Sequence, residues 1–179
     1  MKLGTRRIYS GRVLHLDIDT VRFPDGSVGE LEMIRHSGAS AVVPVLSTDT
    51  AADPEILLIR QFRHAADGLI WEVPAGRLDP GETPDDCARR ELLEEAGAIA
   101  GRLTRLTTIY TTPGFTDERI HLFVARDLTQ GQHQREADEF METQSLPLSR
   151  ILAMIESGEV TDGKTVAALL FFSRFGLNL

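Results

Sequence analysis

The stretch that decides the fold reads GRLDPGETPDDCARRELLEEAG and runs from Gly76 to Gly97. Its second half carries the signs of a short helix. Thr83 can cap the N-terminus, Pro84 suits the first helical position, and Asp85 and Asp86 favour the positive end of the dipole. Gly97 suits the left-handed residue that closes a helix. Between these ends, Ala88, Leu92, Leu93 and Ala96 form an apolar stripe for packing on a sheet. Glu91 and Glu95 stand one turn apart, with Glu94 three residues from Glu91, so three carboxylates share adjoining surface. Like charges at that spacing cost about 0.2–0.5 kcal/mol per pair, and Arg90 cannot compensate all three. A solvated acidic face is the plain alternative for such a group. Here, however, the acids lie beside the packing stripe rather than opposite it. The glycine loop leading into the helix adds backbone carbonyls, and hard oxygen donors without histidine or cysteine suit Mg²⁺ or Mn²⁺ rather than zinc.

Upstream of this segment the chain alternates in the manner of strands. Leu14, Leu16 and Ile18 face one way and His15, Asp17 and Asp19 the other, until Pro24-Asp25-Gly26 signals a turn. A second strand runs through Leu31 and Met33. Apolar runs from Ala41 to Leu46 and from Ile56 to Ile59 read as buried strands on either side of a polar loop, Ser47 to Pro54. Trp71 to Pro74 reads as another strand ahead of the glycine loop. Strands resume from Leu103 to Tyr110 and from Ile120 to Ala125, and helices follow from Leu148 to Glu156 and from Thr165 to Phe175. Strands with a central helix and terminal helices indicate a layered α/β domain.

The 179 residues suit one domain, or one domain with a small appendage. Nineteen basic against 27 acidic residues give a charge of −8, which argues against phosphate-neutralising nucleic-acid binding and against docking on an acidic membrane. The charge is concentrated. Residues 76–97 hold seven acids against three arginines, and residues 135–142 hold four acids against Arg135. Only Lys2 and Lys164 among the basic residues are lysines. The single cysteine, Cys87, excludes a disulfide framework and has the character of a core residue rather than a nucleophile. No apolar run approaches the length of a membrane span, and no apolar signal core follows the first residues, so a cytoplasmic protein is expected.

The segment resembles the signature of the Nudix hydrolases, G-x5-E-x7-R-E-U-x-E-E-x-G-U, where U is a bulky aliphatic residue. Gly76, Glu82, Arg90, Glu91, Leu92, Glu94, Glu95 and Gly97 match, while the final U is Ala98, with Ile99 beside it. The resemblance implies an α/β fold, a Nudix-type α/β/α sandwich with a mixed β-sheet over residues 39–179, preceded by an N-terminal β-rich segment, residues 1–38. It implies hydrolysis of a nucleoside diphosphate joined to another moiety, with Mg²⁺, or alternatively Mn²⁺, as cofactor. Carried onto this sequence, Glu91 and Glu95 become the principal metal ligands and catalytic acids, Glu94 assists, and the Ala75 carbonyl completes the site. Glu82 and Arg90 become an ion pair bracing the loop against the helix.

Pro113 lies fifteen residues beyond Ala98, in TPGFTDE (residues 112–118), and this string resembles the ADP-ribose pyrophosphatase subgroup. So do RQFRH (60–64) and WEVPAG (71–76). The likeness implies cleavage of ADP-ribose to AMP and ribose 5-phosphate, with Pro113 and Gly114 at the substrate. Arg63 becomes the contact to the diphosphate, since a guanidinium fork matches phosphate oxygens. Glu72 supports the metal site or a substrate hydroxyl, with a structural role equally open. In the acidic run 135–142 the resemblance favours Glu139 as the base that activates water, with Glu136 and Glu142 as alternatives. Related nucleoside diphosphate sugars such as GDP-mannose share these motifs. A non-catalytic nucleotide sensor would have no need for the full set of acids. The N-terminal segment also resembles the region through which that subgroup forms homodimers, where it helps bind the base in the other subunit. Tyr9 and Phe23 are stacking candidates, with core packing as the plainer use of either.

Overall fold

The alternation at residues 14–19 and the strand through Leu31 and Met33 become β2 (His15–Arg22) and β3 (Val28–Arg35), and β1 (Lys2–Ser10), which the sequence reading does not include, completes a three-stranded antiparallel sheet. The computed structural model describes residues 1–131 and 141–177. Gly26 closes the β2–β3 turn with φ 88°, a conformation that favours glycine, and Asp25 Oδ1 accepts from the Ser27 amide at 2.9 Å. The buried side chains of this sheet are acids. Asp17 and Asp19 are ion-paired to Arg7 and Arg35, and Thr5 donates to Asp19.

Two further sheets carry the remaining strands. β4 (Ala39–Pro44), β7 (Ala75–Arg77), β8 (Ala98–Tyr110) and β9 (Arg119–Gln130) form a mixed sheet in the order β7-β4-β9-β8, with β4 and β9 parallel. β5 (Glu55–Arg63), β6 (Gly68–Glu72) and β10 (Met141–Pro147) form an antiparallel sheet in the order β10-β5-β6. The mixed sheet is the one the sequence leads one to expect, and a Val45–Ile56 bridge connects the antiparallel sheet to it. The strand expected through Pro74 stops at Glu72, and the chain re-enters a sheet at Ala75. Proline has no N–H for a ladder, and its carbonyl instead accepts from the Val42 amide at 2.9 Å.

Helices cover both faces of the mixed sheet. α1 (Pro84–Ala96) packs Ala88, Leu92 and Ala96 on Val42, Phe123 and Ala125, and Ala98 joins that cluster. On the opposite face, α2 (Leu148–Glu156), α3 (Gly163–Phe171) and a π-helical turn (Phe172–Gly176) cover a larger core with Val43, Leu58, Leu122, Val124, Ile151, Leu169 and Phe172. The result is an α/β/α sandwich preceded by a strand-rich segment. α3 begins two residues before the expected Thr165, because Asp162 caps it by accepting from the Thr165 amide at 2.9 Å. Among the described residues, no helix is long and apolar enough to cross a membrane.

Candidate active site

α1 has the ends its sequence demands. Thr83 Oγ1 accepts from the Asp86 amide, and Gly97, at φ 62°, returns its amide to the Leu93 carbonyl at 3.0 Å. This fixes which helix face meets β7. Glu91 and Glu95 are 8% and 3% exposed, so both carboxylates are buried between α1 and β7 rather than on a solvated face. Glu95 Oε2 accepts from the Ala75 amide at 2.8 Å, and the Glu91 carboxylate rests against Gly76. A Cβ on Gly76 would stand 1.8 Å from Glu91 Oε1 and 2.2 Å from its carboxyl carbon. Glycine lets the carboxylate take that place, and any larger residue would have to push it aside. Burying two like charges side by side is costly unless cations or N–H donors face them.

Arg90 is one such cation, and it reaches further than its place on the helix suggests. Its guanidinium donates to Glu82 at 2.8 and 3.0 Å, to Glu91 Oε1 at 2.6 Å and to Glu94 Oε2 at 3.0 Å. It also donates to the Arg77 carbonyl at 3.0 Å, so the loop, the helix and two of the three clustered acids share one guanidinium. These bonds hold the Glu82 carboxyl down at about 2, well below its ordinary range. Burial, and then the Glu91 charge, push the Cys87 thiol up to about 12, which leaves it no nucleophilic role near neutrality.

Beside the carboxylates lies a second charged pair. The register Ile59↔Glu72 and Arg63↔Gly68 places Arg63 and Glu72 on the same face of the β5–β6 hairpin. Arg63 Nε and Nη2 grip the two Glu72 oxygens at 2.7 and 2.9 Å, a bidentate fork. Glu72 is 1% exposed. Burial alone would push its carboxyl up, but the Arg63 bonds and the Lys164 charge outweigh burial and hold it below the ordinary value. The Arg63 guanidinium in turn lies within the field of Glu95, which joins the pair to the acids on α1.

Other residues singled out in the sequence lie on further elements. Pro113 and Gly114 form an exposed turn between β8 and β9, and a Cβ on Gly114 would meet nothing within 4 Å. That loop is anchored to the N-terminal sheet by an Ile34–Thr116 bridge and by Asp117, which accepts from Arg35 Nη1 at 3.0 Å and from the His36 amide at 2.9 Å. Tyr9 and Phe23 do not pack in the core; they are 57% and 37% exposed, with their rings over Gly11 and Gly29. Glu136 and Glu139 lie outside the described residues. Glu142 pairs with Arg60, so the strand alternation turns it to the face opposite Arg63 and Glu72. Lys164 is the participant that sequence reasoning missed. Its ammonium touches Glu72 and lies 3.0 Å from Asp162 Oδ2. Its rarity was visible, as one of two lysines, but its partner lies 92 positions away.

The oxygen donors suit a hard divalent cation. Glu91 and Glu95 flank Ala75 and Gly76 with oxygen atoms alone. Among the described residues no three His, Cys, Asp or Glu side chains converge as a ready-made cage. Mg²⁺ does not need one, since it is held through one or two carboxylates with substrate phosphates and water completing its shell.

Comparison with known proteins gives the family. The NUDIX domain family matches residues 36–169. The chain belongs to the Nudix family. This Nudix protein is 40% identical to the ADP-ribose pyrophosphatase of Bacillus subtilis (strain 168) over 171 residues, 94% of this chain and 90% of that one. It is 40% identical to the GDP-mannose pyrophosphatase of Salmonella paratyphi B over 128 residues, 64% of each. The crystal structure of an ADP compounds hydrolase superposes with a TM-score of 0.81, covering 98% of this chain and 92% of that one at 23% identity, a likeness of fold. As a family member with its acidic helix intact, this Nudix protein is a pyrophosphohydrolase.

Proposed function

We propose that this enzyme hydrolyses the diphosphate linkage of ADP-ribose to AMP and ribose 5-phosphate, with Mg²⁺ or Mn²⁺. The observation that carries the reading is the juxtaposition of two buried carboxylates, Glu91 and Glu95, with the Arg63–Glu72 fork. An acidic cleft repels a diphosphate unless cations intervene, whereas an arginine at its rim attracts one. Glu91, Glu95, Glu94 and the Ala75 carbonyl would hold the cation. When bound, it neutralises phosphoryl oxygens and lowers the pKa of water. Arg63 then orients the diphosphate, and Gly76 leaves room for the Glu91 carboxylate. Glu139 is the proposed base, and the register of Glu142 counts against that alternative. The choice of ADP-ribose draws on the 40%-identical Bacillus subtilis relative, which matches 94% of this chain.

GDP-mannose is the second reading, favoured by the Salmonella relative at the same identity over a shorter span. In either case we place the enzyme in the cytoplasm as a homodimer built through residues 1–38, a reading supported by the apolar side chains left uncovered on that segment. The deciding experiment is a coupled phosphate-release screen of ADP-ribose, GDP-mannose, UDP-glucose and NADH under Mg²⁺ and under Mn²⁺. ADP-ribose is expected to give the highest kcat/KM. A clear preference for GDP-mannose would overturn the substrate and leave the reaction class standing.

A further inference from the structure

Building on the diphosphate reading above, we propose that Lys164 is a positioning residue for diphosphate binding, acting through Glu72 on Arg63. Glu72 is almost fully enclosed and carries two cations, the Arg63 fork on one side and the Lys164 ammonium on Oε2. A buried carboxylate with a single partner can rotate to optimise that one interaction. With Lys164 fixed on Oε2, its plane is set, and the plane of the guanidinium gripping it is set in turn.

Lys164 is itself held from two directions. Its ammonium lies 3.0 Å from Asp162 Oδ2, and the same carboxylate oxygen accepts from the Thr165 amide at 2.9 Å to cap α3. Thr165 Oγ1 accepts from the Val73 amide at 2.9 Å, which pins the start of α3 to the residue after Glu72. The chain of interactions runs from a helix terminus to a guanidinium that feels the field of Glu95. Lys164 also lines a cleft of about 630 Å³ with Tyr110, Thr111 and Asp162, so direct binding of substrate is the rival role that a test must separate.

A double-mutant cycle separates them, with KM and kcat measured on whichever nucleoside diphosphate sugar the wild type cleaves best. K164M is expected to raise KM about tenfold with kcat within about twofold, the size of one charge-assisted hydrogen bond removed from ground-state binding. K164R should recover most of that affinity. On an R63M background, K164M should change KM by less than about twofold, because the group it positions is gone. Thermal melting of each variant reports the fold, and K164Q carries the same expectation should K164M fail to fold. An unchanged KM in K164M overturns the proposal. So does an equal rise with and without Arg63, which would mean that Lys164 meets substrate directly or acts only on stability. A wild type that cleaves no nucleoside diphosphate sugar overturns the functional reading, and the proposal with it, before any variant is made.

Discussion

Gly76 is where the backbone and the chemistry of the cleft meet. Because a Cβ there would overlap the Glu91 carboxylate, G76A must push that side chain aside. The carboxylate is the flexible end of its side chain, so the stability cost should stay near about 1–3 kcal/mol. Displacing a reacting group by an ångström, however, costs roughly 100-fold in rate. G76A is therefore expected to melt a few degrees lower and to lose about 100-fold in kcat/KM, and a wild-type rate would remove Glu91 from the reacting centre. E91Q and E95Q are close in size to the originals and should lower kcat by at least about 100-fold while AMP binding persists in calorimetry. Unchanged hydrolysis in both would sink the proposed metal ligands. The acids on α1 were legible because helical spacing places them from local sequence alone. The Arg63–Glu72 grip was not, since it depends on the register of β5 against β6, and Lys164 was hidden by 92 intervening positions.

At the scale of elements, the glycine loop and α1 are held as one unit by Glu82 and Arg90. The carboxyl of Glu82 is lowered from its ordinary value of 4.5 to about 2, chiefly by the Arg90 bonds. A depressed folded-state value means that the ionised form favours the native state. The stabilisation is fully present above about pH 4.5 and is lost as pH falls through about 2. E82Q should therefore melt several degrees below the wild type at pH 7, with the gap narrowing as pH is lowered from about 4.5 towards 3. A gap independent of pH would show that the side chain acts through packing rather than charge. Helix ends were readable because caps are local: Thr83, Pro84 and Gly97 each do what their chemistry predicts. β7 and β10 were not readable. Three residues of β7 are a strand only because Ala39, Ser40 and Ala41 pair with them, and β10 is a polar, exposed run with no alternation to betray it. Ladder partners distant in sequence made both.

At the scale of the whole chain, the N-terminal sheet inverts the usual order of burial. Its carboxylates are inside, with Asp17 and Asp19 enclosed by Arg7 and Arg35. Its apolar side chains are outside: Leu3, Ile8, Tyr9, Val13, Leu14, Phe23, Val28 and Leu31 are each at least 37% exposed. Scattered singly, such residues would mean little; concentrated in the first 31 positions, they are the reason for proposing an interaction surface there. The described residues of the same chain leave them open to solvent, while a second copy brings an identical apolar surface that can meet it about a two-fold axis. Light scattering is therefore expected to give a mass of twice 19.8 kDa. Replacing the exposed Ile8 and Val28 together by lysine places two charges among these side chains without touching the Asp17–Arg35 network, and should yield a monomer that keeps its strand content by circular dichroism. If the segment also reaches the nucleotide of the other subunit, the monomer should show a KM raised about tenfold with Glu91 and Glu95 chemistry otherwise intact, so kcat falls far less than in E91Q. A wild type that scatters as a monomer at micromolar concentration would leave the apolar surface without its proposed purpose, and would confine base recognition to residues of a single chain.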